Sequence, residues 1–158
     1  MYDRKFMEHA VGIAKQGIRE GCGGPFGCVI VKDGNIVAMA HNTVVKDNDP
    51  TAHGEINAIR QASETLGTFN LEGCELYTTS EPCPMCLSAI MWARISKVYS
   101  CMTIVDATKI GFDDSPFYEA ITDYSVEGGC RLVEVEFHKE DSGIKLFNDY
   151  DEMEKILY

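Results

Sequence analysis

The stretch LYTTSEPCPMC, residues 76–86, decides the fold of this chain. Residues 76–79 are predicted as a strand, and Pro84 stands in the first turn of a helix, where proline is favoured. The stretch therefore predicts a strand that runs directly into a helix carrying Cys83 and Cys86. Two cysteines at this spacing can bind one metal ion. The unpaired N–H groups at a helix start favour the ionised thiolates that a metal requires.

A second fragment, His53-Gly54-Glu55, lies thirty residues before Cys83, at the start of another predicted helix. His53, Cys83 and Cys86 would supply three ligands and leave the fourth tetrahedral position open, as in catalytic zinc sites. Glu55 would reach a water in that position without binding the metal, and could move protons between water and substrate. The two fragments together predict a hydrolytic zinc site.

Other interpretations of the cysteine pair remain open at this point. The pair could be a redox centre, half of a closed zinc site with four ligands, or two thiols that fill a core. A closed site would need a fourth ligand such as Cys74, Cys101 or Cys130, although none of these has a second Cys-x-x-Cys spacing. A redox pair would need neither the histidine nor the glutamate. Both are present, which favours the catalytic site.

Composition and charge limit the possible functions. The 158 residues suit a single domain, 1–158, and the seven cysteines form no paired framework. The sequence has no signal-peptide pattern at its start and no apolar segment of membrane-spanning length, so we expect a cytoplasmic protein without a membrane partner. A net charge of −11 repels phosphate backbones. These features favour a small neutral substrate and disfavour nucleic acid.

The remaining pattern alternates helices with strands, which is typical of an α/β layered sheet. The hairpin signal Asp33-Gly34 separates predicted strands at 26–31 and 36–40. Further strands are predicted at 97–101 and 131–135. Helices are predicted from three apolar stripes at helical spacing: Phe6, Ala10, Ala14 and Ile18; Ile56, Ile59, Ala62 and Leu66; and Leu146, Tyr150, Met153 and Leu157.

Five runs carry a wider resemblance: GPFG at 24–27, NDPTAH at 48–53, YTTSEPCPMC at 77–86, AIMWAR at 89–94 and GFDDS at 111–115. With them, the chain resembles the bacterial guanine deaminases of the cytidine deaminase superfamily, and His-x-Glu with Pro-Cys-x-x-Cys is the signature of zinc nucleobase deaminases. The resemblance implies an α/β/α three-layer fold with a central mixed five-stranded sheet and one zinc ion per subunit. It also implies hydrolysis of guanine to xanthine and ammonia by a homodimer that exchanges its C-terminal segment, about residues 143–158.

The resemblance also implies the site residues. His53, Cys83 and Cys86 would bind zinc, and Glu55 would transfer protons. Around the base it implies four kinds of contact: a hydrogen bond from Asn42 to the purine edge, Asp114 at the amino group, Phe26 and Trp92 against the ring, and Tyr158 closing the pocket of a partner subunit. Each of these also has an ordinary structural explanation, respectively a turn cap, a surface charge or helix cap, two core aromatics and a frayed tail.

One departure from the family pattern stands inside the metal motif. Gly54 occupies the position where alanine is usual, which loosens the helix start and could alter the aim of Glu55. Rival substrates are isocytosine, cytosine, a nucleoside such as cytidine, and the wobble adenosine of transfer RNA. Rivals of another class are a zinc-stabilised binding module without catalysis and a redox protein.

Overall fold

A mixed sheet lies at the centre of the first part of the chain. The computed structural model describes residues 1–125, 129–130, 132–133, 138 and 140–153. The strands are β1 (Gly27–Lys32), β2 (Asn35–His41), β3 (Cys74–Ser80) and β4 (Lys97–Met102), in the order β2-β1-β3-β4. Strand β1 runs antiparallel to β2 and β3, whereas β3 and β4 are parallel. The predicted α/β class with a mixed sheet is confirmed.

The prediction of five strands is wrong for the described residues, where the sheet has four. Within the predicted strand 131–135, Leu132 lies in a turn and Val133 forms an isolated bridge with Cys130. The backbones of Cys130 and Val133 exchange both hydrogen bonds, at 2.8 and 3.1 Å, so a tight local turn satisfies groups that would otherwise extend a ladder. Residues 131, 134 and 135 lie outside the described residues.

Seven helices lie in the described residues, and their bounds are α1 (Arg4–Arg19), α2 (Val44–Asp47), α3 (Gly54–Leu66), α4 (Pro84–Trp92), α5 (Ile104–Lys109), α6 (Ser115–Thr122) and α7 (Asp141–Asp151). The first predicted stripe is confirmed except at Ile18, which is half exposed, while Gly17 is buried instead. Leu157 of the last predicted stripe lies outside the described residues. None of the helices in the described part of the chain is both long and apolar enough to cross a membrane.

Helices cover both faces of the sheet because successive strand residues point to opposite sides. On one face, Val29 and Val31 of β1 pack with Phe6 and Ala10 of α1. The alternate residues of β1, Cys28 and Ile30, point to the opposite face. There they pack with Leu76 of β3, Ala58 and Ala62 of α3, and Ile90 of α4. The predicted three layers are therefore present around the four strands.

The hairpin between β1 and β2 forms where Asp33-Gly34 predicts it. Both residues have positive φ, 50° and 76° respectively, as a type I′ turn requires, and glycine adopts such angles without strain.

The chain divides into two units, 1–114 and 115–158. The sheet and helices α1 to α5 belong to the first unit, and α6 and α7 belong to the second. In α7 the apolar side chains of Leu146, Phe147 and Tyr150 are exposed, at 65%, 78% and 49%.

Candidate active site and metal centre

The predicted site residues of the first unit collect at one edge of the sheet. Because β1 is antiparallel to both neighbours, its first residue lies beside the last residues of β2 and β3. Gly27 pairs with His41 and donates its backbone N–H to the Thr79 hydroxyl at 3.1 Å. Helices α3 and α4 begin at the same edge, with His53 and Cys83 as their N-cap residues.

The three predicted metal ligands lie together at this edge. The Nδ1 atom of His53 is 3.6 Å from the Sγ atoms of both Cys83 and Cys86, and all three donor atoms lie within 4.8 Å of one another. In the described residues, no fourth histidine, cysteine or carboxylate donor joins this group. The arrangement is that of a three-ligand site and does not support the closed four-ligand alternative.

The spacing of these donors fits zinc. Zn–S and Zn–N bonds of about 2.3 and 2.05 Å at a tetrahedral angle separate sulfur from nitrogen by about 3.6 Å, which is the separation observed for both cysteines. Two thiolates and one imidazole also form a donor set that zinc prefers over harder cations. His53, Cys83 and Cys86 would therefore hold a zinc ion without rearrangement.

The two thiols interact strongly. The hydrogen bond from Cys86 is the largest of several effects that lower the pKa of Cys83 to about 4, and contact with His53 contributes. The same hydrogen bond, followed by burial, raises the pKa of Cys86. Hydrogen bonding with Cys83 raises the pKa of His53. One thiolate is thus already favoured, and a divalent cation would replace the proton that the two sulfurs share.

Glu55 lies in the first turn of α3, buried beside the metal donors. Its Oε1 accepts a hydrogen bond from the Thr78 hydroxyl at 2.8 Å, and its Oε2 lies 3.5 Å from the Sγ of Cys86. Burial is the main cause that raises the pKa of Glu55. The carboxylate is held by one oxygen and presents the other toward the donors, which suits a group that accepts and returns protons.

Thr78 is a positioning residue that the sequence analysis missed. It is buried near the end of β3. The sequence feature that could have identified it is the polar run Thr78-Thr79-Ser80, which lies shortly before α4, the helix that carries Cys86.

We expect Thr78→Val to lower kcat about tenfold and leave KM nearly unchanged, because a lost hydrogen bond of about 1.4 kcal/mol would leave Glu55 poorly oriented. Steady-state kinetics of ammonia release would measure this. Thr78→Ser keeps the hydroxyl and should retain most activity. A loss in Thr78→Ser with none in Thr78→Val would mean that the methyl packing matters and not the hydrogen bond.

Asp114 and Asn42 are the two predicted polar contacts with substrate. The Oδ1 of Asp114 is buried and has no hydrogen-bond partner among the described residues. Burial raises the pKa of Asp114, and nearby Cys83 raises it further, which puts this carboxyl within electrostatic reach of the metal ligands. An unpartnered buried carboxyl oxygen is costly unless it serves a ligand or the reaction.

Asn42 follows β2 and is buried, and its Oδ1 accepts the Val44 backbone N–H at 3.1 Å. The turn-capping explanation is therefore correct for Oδ1. Its Nδ2 donates to no acceptor in the part of the chain that the structure describes, so this group remains available. On either side of it, Asn57 donates to the carbonyl of His41 at 3.0 Å and to the hydroxyl of Thr43 at 2.9 Å, which holds the segment in place.

The predicted aromatic contacts differ from one another. Phe26 immediately precedes β1 at the site edge, and its ring meets Phe112 edge to face at 4.9 Å. Trp92 lies at the opposite end of α4 from the cysteines and is 65% exposed, so the described residues do not bring it to the metal donors, and it is not a core residue. Tyr158 lies outside the described residues. The substrate roles of Phe26, Trp92 and Tyr158 stay predictions.

Gly54 has a steric role at the start of α3. A Cβ atom at this residue would lie 2.9 Å from the carbonyl oxygen of Phe26. Glycine therefore lets the helix that carries Glu55 approach the segment before β1 more closely than alanine would. The effect on the aim of Glu55 stays a prediction.

The chain combines a mixed β-sheet with a buried glutamate beside His-Cys-Cys donors at two helix starts. This combination is typical of the zinc-dependent hydrolases of the deaminase class. The cytidine and deoxycytidylate deaminase zinc-binding region matches residues 1–102. The chain belongs to this deaminase family.

Individual relatives show which deaminases the chain resembles. The guanine deaminase of Bacillus subtilis is 51% identical over 121 residues, which are 77% of this chain and 78% of that protein. An X-ray structure of guanine deaminase from Bacillus subtilis aligns with a TM-score of 0.91 and 42% identity over 100% of this chain and 99% of that chain. A tRNA-specific adenosine deaminase of Aquifex aeolicus is 48% identical over 59% of this chain and 61% of that protein. The predicted resemblance to bacterial guanine deaminases is confirmed.

Proposed function

We propose that this protein is a zinc-dependent guanine deaminase that hydrolyses guanine to xanthine and ammonia. The observation that carries the proposal is the position of Glu55, buried and hydrogen-bonded to Thr78, with its second oxygen beside the metal donors. Similarity to the guanine deaminase of Bacillus subtilis over the full length of the chain supports the choice of base.

The metal ligands and Glu55 divide the chemistry between them. His53, Cys83 and Cys86 would hold zinc, which when bound supplies a Lewis acid that activates a water molecule for attack on C2 of guanine. Glu55 takes the proton of that water on Oε2, the oxygen that Thr78 leaves free. It then returns the proton to a ring nitrogen of the base. The amino group leaves as ammonia after it gains a proton, so the balance is guanine plus water to xanthine plus ammonia.

Asn42 and Asp114 would orient the base. The free Nδ2 of Asn42 can donate a hydrogen bond to an acceptor on the purine edge. The unpartnered Oδ1 of Asp114 can accept from the amino group of guanine, and the raised pKa of this carboxyl suits it to pass a proton to that group. Phe26 would add contacts with the ring, and the contact of Trp92 with the base stays a prediction.

We expect Asp114→Asn to lower kcat about 100-fold, because an amide cannot supply the proton that the departing amino group needs. The zinc content should not change, since Asp114 is not a ligand. Asp113→Asn is the matched control on the neighbouring exposed carboxylate and should stay near wild-type activity. A large loss in Asp113→Asn with none in Asp114→Asn would reverse the assignment.

The assembly and location belong to the same proposal. We propose a cytoplasmic homodimer in which about residues 143–158 are exchanged and Tyr158 closes the partner's pocket. Exposed apolar side chains in α7, among them Leu146 and Phe147, support a face that another subunit covers. All seven cysteines lie in described residues and are free, which supports a reducing compartment.

Deamination of a transfer RNA adenosine is the second candidate. It is favoured by the 48% identity with the adenosine deaminase of Aquifex aeolicus, although that match covers only 59% of this chain. A net charge of −11 opposes it, because a phosphate backbone would be repelled.

Ammonia release from zinc-loaded protein tests the proposal. The panel is guanine, isocytosine, cytosine, adenine, cytidine, guanosine and a transfer RNA anticodon stem-loop. We expect turnover of guanine far above the others. Turnover of another base would be consistent with the zinc mechanism but would show that guanine is not the substrate. Turnover of the stem-loop alone would establish the second candidate. If no compound in the panel releases ammonia, both candidates are wrong.

A further inference from the structure

A second group of metal-ligating side chains lies outside the site described above. The donor atoms of Glu20, Cys22 and His41 lie within 4.8 Å of one another, and all three belong to the first unit. Glu20 caps the C-terminus of α1, Cys22 follows two residues later, and His41 ends β2. The fold thus joins His41 to donors that lie 21 and 19 residues earlier in the chain. We propose that Glu20, Cys22 and His41 form a second metal site that takes a borderline divalent cation such as Zn²⁺.

The carboxylate of Glu20 is oriented for this role. Gln16 lies one turn earlier in α1, and its Nε2 donates to the Oε1 of Glu20 at 2.8 Å. The other oxygen, Oε2, lies 3.8 Å from the Sγ of Cys22. The hydrogen bond from Gln16 is also the main reason why the pKa of Glu20 is lowered, so the ligand is ionised at neutral pH. Outer hydrogen bonds of this kind are typical of metal ligands.

The imidazole of His41 is fixed in the same way. Its Nδ1 lies 3.0 Å from the carbonyl oxygen of Asn42, which can only accept a hydrogen bond. In the neutral ring that makes this bond, Nδ1 is the donor and Nε2 is the nitrogen that can bind a metal. The ring packs against the backbone of α1, where a Cβ atom on Gly17 would lie 2.5 Å from Nδ1. Only glycine at this position admits the ring, which therefore has a defined place beside the helix end.

Cys22 is held by its backbone. Its N–H donates to the carbonyl of Gly17 at 2.9 Å, and its own carbonyl accepts from Val45 and Lys46 at 3.0 and 3.1 Å. The turn is made possible by Gly21, whose φ is +67°. The thiol is buried, so a metal bound here would be partly shielded from water.

The donor types select the cation. One thiolate, one imidazole and one carboxylate form a three-ligand set suited to zinc, with a water as fourth ligand, and poorly suited to Mg²⁺ or Ca²⁺, which prefer oxygen ligands. Lys46 is near enough to lower the pKa of Glu20 and therefore opposes cation binding slightly, whereas the net charge of −11 favours it. A bound ion would link the end of α1 to the end of β2, next to Asn42.

Metal titration of the zinc-loaded full chain tests this site without relying on activity. Protein that keeps one zinc ion after gel filtration is titrated with Zn²⁺ by calorimetry, and in parallel with Co²⁺ while the near-ultraviolet thiolate-to-cobalt absorption is recorded. We expect one additional ion per chain and a thiolate signal from Cys22. Absence of a further binding step in the wild-type protein would overturn the proposal.

Three variants locate the additional ion. Glu20→Gln, Cys22→Ser and His41→Asn should each weaken the additional step about tenfold or more, because each removes one ligand. Cys101→Ser and His9→Asn remove an exposed cysteine and an exposed histidine elsewhere and should leave it unchanged. Glu20 is exposed, so its variant should fold normally. An unchanged additional step in both Glu20→Gln and His41→Asn would place the ion elsewhere and overturn the proposal.

Discussion

Glu55→Gln is expected to lower the kcat of deamination about 10³-fold, because a carboxamide has the shape of the carboxylate but cannot accept the proton of the attacking water. The zinc content should stay equal to that of the wild type, since the group of three metal donors does not include Glu55. Thr78 can still donate to the remaining oxygen, so the side chain keeps its place. Parallel measurements of ammonia release and zinc by atomic emission would check both statements.

Glu64→Gln is the matched control, because it makes the same change on an exposed position of α3. It should leave activity and zinc unchanged. Loss of zinc together with activity in Glu55→Gln would mean that Glu55 is a ligand. Full activity in that variant would assign the proton transfer to another group. The interpretation as a non-catalytic zinc module requires that neither the wild type nor the Glu55→Gln variant deaminates any base.

The metal set could be predicted from sequence because its geometry is mostly local. Cys83, Pro84 and Cys86 fall in one helical turn, and a helix start places the first thiolate as the N-cap residue. The position of His53 could be predicted from one further expectation, that its own helix begins at the same edge of the sheet. That expectation follows from the alternation of strands and helices along the chain. The hairpin was equally local, since Asp33-Gly34 can adopt few turns.

The features that were missed depend on tertiary packing or on short elements. Helices α2 and α5 have four and six residues, too few for an apolar stripe to repeat. The bond from Thr78 to Glu55 joins residues 23 apart, and nothing in either local pattern pairs them. Trp92 was weighed as a core aromatic of an apolar helix but is exposed, because nearly every residue of α4 is apolar and periodicity therefore does not distinguish its buried face. Residues 131–135 were predicted as a strand, yet Val133 of this segment forms an isolated bridge with Cys130, three residues away.

Cys83→Ser is expected to abolish both metal binding and activity at the deaminase site. A serine hydroxyl stays protonated at neutral pH, whereas the thiol of Cys83 has a pKa lowered to about 4 and already favours the ionised form that a metal needs. Loss of the Lewis acid removes several kcal/mol of transition-state stabilisation, which corresponds to a fall in kcat of about 10³-fold or more. Zinc retained after gel filtration and ammonia release would measure the two losses.

The half-buried position of Cys83 makes a packing defect a weak explanation for such a loss, and Cys101→Ser provides the control for removing a thiol. Circular dichroism should show that Cys83→Ser is folded, with a lower melting temperature, because zinc that binds only the native state no longer stabilises it. The wild type treated with a chelator should shift in the same direction and recover when zinc is restored, whereas Cys83→Ser should not recover. A Cys83→Ser protein that still holds zinc and deaminates guanine would mean that His53 and Cys86 act with a different third ligand, and the three-donor geometry at the two helix starts would not be the catalytic centre.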